Sequence, residues 1–170
     1  GWAKDDRDHD FTGESAEKAV AVLRHIQQAA SSLESTSSLV KVWTIVVEGW
    51  CKRSGHNKYA LQRAEELLNE MEDGNQTLVA PNVLTYTSFI VGLSSSSDRD
   101  LATKAEEVLR RMERNNIQVD MVAYTAVINC WARAVSRHER SIASVRVLRI
   151  LGHMERLYIS KQQYSAKPSQ

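Results

Sequence analysis

The sequence predicts an all-α chain, an α-solenoid of stacked helix-turn-helix repeats, and three observations predict it. An aromatic-Thr pair recurs as Trp43-Thr44, Tyr86-Thr87 and Tyr124-Thr125, spaced 43 and then 38 residues apart, which falls in the period range of helical solenoids. A second pattern follows each pair: Ala64-Glu-Glu-Leu-Leu-Asn-Glu-Met71, Ala105-Glu-Glu-Val-Leu-Arg-Arg-Met112 and Val147-Leu-Arg-Ile-Leu-Gly-His-Met154, with Ala19-Val-Ala-Val-Leu-Arg-His-Ile26 upstream. Finally, a chain of 170 residues with 42% hydrophobic residues, seven Gly and two Pro can bury a core, yet no segment alternates like a strand beyond a few residues. Two helices of this size cannot bury their apolar faces alone, so neighbouring pairs must stack.

In chain order, Asp5 to Glu14 reads as an acidic loop and Ser15 to Ala30 as a helix with Ala16, Ala19, Val20, Leu23 and Ile26 on one face. Ser31 to Ser38 reads as a connector whose hydroxyls cap the next helix, about Leu39 to Arg53, which ends at Ser54-Gly55. The helix from Lys58 to Glu72 turns Leu61, Ala64, Leu67, Leu68 and Met71 inward and stops at Asp73-Gly74-Asn75. Pro81 stands at the start of the following helix, with Asn82 as its cap. Ser94 to Ser97 breaks the pattern, and Asp98 caps a helix from Arg99 to Asn115 whose Glu106, Glu107, Arg110, Arg111 and Arg114 pair across turns on a solvated face. Asp120 caps a helix from Met121 to Ala134, and Ser136 to Arg140 is a turn. The last helix, Ser141 to Ile159, puts Ile142, Val145, Leu148, Leu151 and Met154 on one stripe, and the residues beyond Ser160 fray.

Pro81-Asn-Val-Leu-Thr-Tyr-Thr87, followed by Ile90-Val-Gly-Leu93, Ala105 to Leu109 and Met112, resembles a pentatricopeptide repeat, the RNA-binding relative of the tetratricopeptide repeat. The likeness extends over nearly the whole chain. It divides one helical-repeat domain, 1–170, into a partial repeat 1–39, repeats 40–82, 83–120 and 121–162, and a tail 163–170. Repeats of that family run to about 35 residues, and these are longer, with the surplus in the turn or after the second helix. Gly1-Trp2-Ala3-Lys4 copies the end of a first helix, as in Cys130-Trp131-Ala132-Arg133, so a fragment of a longer array is expected, with any targeting peptide outside it.

The resemblance implies a right-handed solenoid and sequence-specific binding of single-stranded RNA, one base per repeat, in RNA processing, stability or translation within a mitochondrion or chloroplast. Family members read a base with the residue after the aromatic and the last residue of the repeat. That pairing implies Thr44 with Asn82, for adenine, and Thr87 with Asp120, for guanine; Thr125 pairs with a residue near Gln162. The second residue of each repeat wedges against base faces, implying Lys41, Leu84 and Val122. Lys41 departs from an apolar wedge, although its stem can pack while its ammonium approaches phosphate. Lys4, Lys52 and Arg133 recur late in the first helices and are candidates for the RNA backbone, with Ser95 breaking the series. An array of three complete repeats touches about three bases.

Beside the RNA reading stand plainer ones. Trp43, Tyr86 and Tyr124 fit inter-helix packing rather than base stacking, and Trp2, Trp50 and Trp131 fit the core at repeat junctions. Without the resemblance, Thr44, Thr87 and Thr125 are ordinary helix-surface residues. Cys51 and Cys130 lie in different repeats without paired spacing, so buried free thiols are expected and neither a disulfide framework nor a zinc site. His9, His25, His56, His138 and His153 show no ligand spacing, and no metal or other cofactor is expected. No phosphate-cradling Gly-rich loop, nucleophile elbow or metalloprotease helix is present. Glu65, Glu66, Glu70 and Glu72 recur as a helix surface, not as an acid and base in a pocket. The chain reads as a non-enzyme without a small-molecule substrate, and no run approaches the roughly twenty apolar residues of a membrane span. A net charge of +1 neither supports nor excludes RNA. A protein-binding solenoid, using the same concave face in an assembly, is the rival function.

Overall fold

A computed structural model describes residues 14–29, 33–53, 58–74, 79–95, 99–133 and 140–165. The elements are α1 (Glu14–Ala29), α2 (Leu33–Cys51), α3 (Lys58–Asp73), α4 (Val83–Ser94), α5 (Arg99–Arg114), α6 (Met121–Arg133) and α7 (Arg140–Ser165). No strand occurs among the described residues. The chain forms two compact units, Gly1–Gly92 and Leu93–Gln170.

In the first unit α1 packs on α2 and α2 on α3. The core takes Val20 and Leu23 from α1, Trp43, Val47 and Trp50 from α2, Ala64, Leu67, Leu68 and Met71 from α3, and Tyr86, Phe89 and Ile90 from α4. Each large apolar side chain buried this way contributes about 1.5 to 3 kcal/mol before chain entropy is counted. The second helices α1 and α3 are clasped by two bidentate pairs. Arg24 Nη2 reaches both oxygens of Glu70 at 2.6 and 2.7 Å, and the Arg63 guanidinium grips the Glu17 carboxylate. First helices meet as well: Thr44 of α2 hydrogen-bonds to Thr85 of α4, and Gly92 lies against Cys51.

The second unit repeats this plan, with α5 on α6 and α6 on α7. Its core holds Ala105, Val108, Leu109 and Met112 with Tyr124, Val127, Cys130 and Trp131, and Ala143 and Ile150 from α7. Arg146 of α7 binds Glu106 of α5 at 3.1 Å and stands over the Trp131 ring, 5.9 Å from its centroid. His153 Nε2 lies 3.0 Å from Glu113. Helix ends follow local chemistry. Gly74, at φ +63°, closes α3. Asn116, at φ 55°, closes α5 while Ile117 N–H donates to Met112 O at 2.8 Å and Asn116 N–H to Glu113 O at 3.0 Å, the paired bonds of a Schellman end.

The arginine pairs predict an acid response. A hydrogen bond from Arg63 holds the Glu17 and Glu66 carboxyls below their ordinary 4.5, and Arg114 and Arg110 do the same for Glu107. A carboxyl whose folded-state pKa is depressed stabilises the fold above its unfolded value, and loses that contribution as pH falls through the depressed one. Tm at low salt is therefore expected to decline as pH drops below 4.5, modestly, because these pairs face solvent. Replacing Arg63 with Met should remove part of the decline. A parent Tm that stays flat across that acid window would show the pairs contribute nothing.

Four expectations from the sequence need correction. The stretch 33–38 is the first part of α2 and not a connector; Ser costs a helix only a few tenths of a kcal/mol, and buried Leu39 anchors the turn that follows. Helix α7 runs to Ser165, past the expected fray at Ser160, since Lys161, Gln162 and Gln163 are good helix formers. On α7 the inward residues are Ala143 and Ile150, whereas Ile142, Val145, Leu148 and Leu151 are exposed. Glu106 sits not on a solvated face but at 8% exposure, held by Arg110 and Arg146. The expected helix end at Gly1 to Lys4, the loop before Glu14, the stop at Ser54-Gly55 and the Asp98 cap lie outside the described residues.

Candidate functional site

The first helices α2, α4 and α6 each carry a line of outward residues at matching positions. These are Lys41, Glu48 and Lys52 on α2 and its closing turn; Leu84, Val91 and Ser95 on α4 and its closing turn; and Val122, Asn129 and Arg133 on α6. Steps of seven and eleven residues at 3.6 per turn keep each line within about 40° of one helix face. All nine are exposed except half-buried Glu48. Leu84 and Val122, the expected wedges, are each 57% exposed. Lys41 stands at the same place on α2, also exposed.

The two expected backbone-binding cations are in the line, with different company. Lys52 Nζ lies 2.8 Å from the Glu48 carboxylate one turn earlier, so part of its field is already answered. Arg133 Nη2 reaches the Ser95 carbonyl, at 3.4 Å.

At the start of α4, Asn82 Oδ1 accepts from Thr85 N–H at 2.9 Å and from Thr85 Oγ1 at 3.0 Å, and Asn82 N–H returns to Thr85 Oγ1 at 3.3 Å. This is a reciprocal capping box with Thr in the place more often held by Glu. At the start of α6, Asp120 Oδ1 accepts from Ala123 N–H at 2.8 Å. Asn82 and Asp120, the residues expected to read bases, are helix caps, half-buried at the mouth of a first helix.

The threonines divide. Thr125 is exposed, its hydroxyl donating to Met121 O at 2.8 Å. Thr44 and Thr87 are buried, at 2% and 5% exposure, so their hydroxyls face protein where a base edge was expected. Thr44 Oγ1 lies 2.8 Å from Val40 O and 2.8 Å from Thr85 Oγ1. Thr44 therefore reaches Asn82 through Thr85. Trp43, Tyr86 and Tyr124 are buried too, and Tyr86 Oη donates to Glu72.

Two participants escaped the sequence reading, Thr85 and Glu48. The Asn-x-x-Thr spacing of a capping box signalled the first, and the i,i+4 spacing of Glu48 and Lys52 the second. Cys51 and Cys130 are free and buried, and desolvation pushes both thiols up to about 12, out of the range of a reactive thiolate. Among the described residues no three His, Cys, Asp or Glu side chains converge as a metal site, and no helix is long and apolar enough to cross a membrane.

Residues 107–159 match the family model of the pentatricopeptide repeat domain. That span runs from the middle of α5 through α6 into α7, and so includes Asp120, Val122, Thr125 and Arg133. A comparison with curated proteins returns no match.

Proposed function

From the pentatricopeptide repeat match over residues 107–159, we propose that this chain binds single-stranded RNA along the outward lines of its first helices, taking one base per helix pair. The observation that carries the reading is the recurrence of an exposed wedge position beside a capping Asn or Asp: Leu84 beside Asn82, and Val122 beside Asp120. An apolar wedge against a base face supplies affinity without regard to sequence, and a fixed polar group at its side supplies choice. Asn82 with Thr44 behind it favours adenine, and Asp120 favours guanine; Thr87 and Thr125 follow the aromatics of their own helices. Lys41, Lys52 and Arg133 serve phosphate. Sequence-specific work in processing, stabilising or translating organellar transcripts, in a mitochondrion or chloroplast, completes the proposal, supported by what the family implies.

Filter binding of the full chain to single-stranded RNAs at two salt concentrations tests it. Salt-sensitive binding with a base preference supports RNA readout, and its absence favours a protein partner. The exposed apolar face of α7, with Ile142, Val145, Leu148 and Leu151, is what supports that second reading.

The ion pair on α2 sharpens one expectation. Lys52→Ala should weaken all RNAs about equally and flatten the log–log salt slope by about 0.7, the share of one phosphate contact on a single strand. Glu48→Gln should do the opposite, since it removes the carboxylate that both holds Lys52 and repels phosphate. Equal affinities for parent and Glu48→Gln at every salt concentration would place Lys52 off the RNA path.

A further inference from the structure

Resting on the RNA reading above, we infer that Thr85 is a positioning residue for base choice, holding the Asn82 side-chain amide with its carbonyl inward and its NH2 outward. A side-chain amide has two unlike ends, and which end meets a base decides whether the helix pair asks for an acceptor or a donor. Asn82 Oδ1 is held from two sides, by Thr85 N–H at 2.9 Å and by Thr85 Oγ1 at 3.0 Å. Turning the amide over would set Nδ2 against the Thr85 backbone N–H, losing that bond, and would oblige Thr85 Oγ1 to accept where it now donates. Adenine N1 is an acceptor, whereas guanine N1 carries a proton, so an outward NH2 discriminates between them.

The hydroxyl is itself held. Thr85 is fully buried, and Thr44 Oγ1 approaches its Oγ1 at 2.8 Å. Each hydroxyl has one proton, so with Thr85 donating to Asn82 Oδ1 the short contact between the two hydroxyls is a hydrogen bond when Thr44 turns its proton from Val40 O, also 2.8 Å away, to Thr85. Buried Thr44 then influences base choice without touching the base, which gives its place in the interior a functional sense. The second unit supplies a contrast. Its cap is Asp120, whose two oxygens are chemically alike, and the residue three positions on is Ala123, with no hydroxyl. A symmetric carboxylate presents an acceptor whichever way it turns and needs no orienting partner. The hydroxyl stands where the side chain is asymmetric.

The test is Thr85→Val in the full chain, with affinities measured for single-stranded RNAs that differ only in adenine or guanine at one position. Val keeps the buried shape and leaves the backbone N–H bond to Asn82, so the adenine-over-guanine ratio should fall several-fold towards one. Thr85→Ser should restore it, and Thr44→Val, which removes the support from behind, should lower it part of the way. A ratio unchanged by Thr85→Val but abolished by Asn82→Ala would overturn this inference and leave the RNA reading standing. Uniform weakening of both RNAs with a lowered Tm and no change in ratio would reduce Thr85 to a structural residue and overturn it as well. A ratio that survives Asn82→Ala would remove Asn82 from base reading, and an absence of RNA binding would remove the whole premise.

Discussion

Gly92→Pro is expected to unfold the first unit. Two costs act on the same residue. Within α4, proline deletes the N–H that an interior helical residue donates to the carbonyl four positions back, and its ring strikes that carbonyl, for about 3 kcal/mol or more. Across the helix pair, even the first carbon of a side chain would stand 2.8 Å from Cys51 Cβ and 3.2 Å from its Cα. Neither is the tip of a flexible side chain, so the two helices would have to part, and overpacking of that kind costs roughly 1 to 3 kcal/mol. Set against a domain stability of about 5 to 15 kcal/mol, the sum removes much of the margin. Gly92→Ala separates the two effects, because alanine is a better helix former by about 1 kcal/mol and only the contact with Cys51 opposes it. Gly49, at the same place in α2, has no atom within 4 Å of its would-be Cβ, so Gly49→Ala should raise Tm while Gly92→Ala lowers it. Circular dichroism melts in which the proline variant matches the parent would refute the argument.

Helices were legible because they announce themselves locally. The stripe of Leu61, Ala64, Leu67, Leu68 and Met71 became the buried face of α3, and Asn82 and Asp120 cap as their side chains dictate. Free buried cysteines at 51 and 130 were legible for the same reason, being set among apolar neighbours. What depended on a neighbouring helix was less so. Periodicity put Leu148 on the inward stripe of α7, whereas Ile150 is buried and Leu148 exposed, because what covers the helix decides. The line of wedge positions at Leu84 and Val122 came from aligning repeats, and both side chains stand exposed. The interior place of Thr44 did not follow from that alignment, because its hydroxyl is engaged by Thr85, 41 residues on in the chain. Hydrogen bonds between repeats are invisible to a reading made one repeat at a time.

Asp120→Asn is the exchange expected to move base choice furthest, and it should do so with the fold intact. Asn and Asp cap helices about equally well, so the bond from Ala123 N–H at 2.8 Å has an oxygen to accept it in either variant. What changes is the other end of the side chain, which in Asp can only accept and in Asn can donate. A guanine N1–H facing Asp120 would meet an N–H in the variant, and a donor left against a donor costs about 1 to 3 kcal/mol, roughly a five- to 150-fold loss for guanine. Adenine, with an acceptor at N1, should gain. Asn82→Asp should run the exchange in reverse at the first unit, where Thr85 N–H and Oγ1 still have a carboxylate oxygen to hold. The two variants, measured by filter binding against RNAs differing at one base, should show opposite changes in the adenine-to-guanine ratio with Tm near that of the parent. Ratios that do not move, in a chain that binds RNA and melts normally, would place base reading elsewhere on these helices. Ratios that move in the same direction in both variants would refute the donor–acceptor account, since the two exchanges are opposite in hydrogen-bonding character.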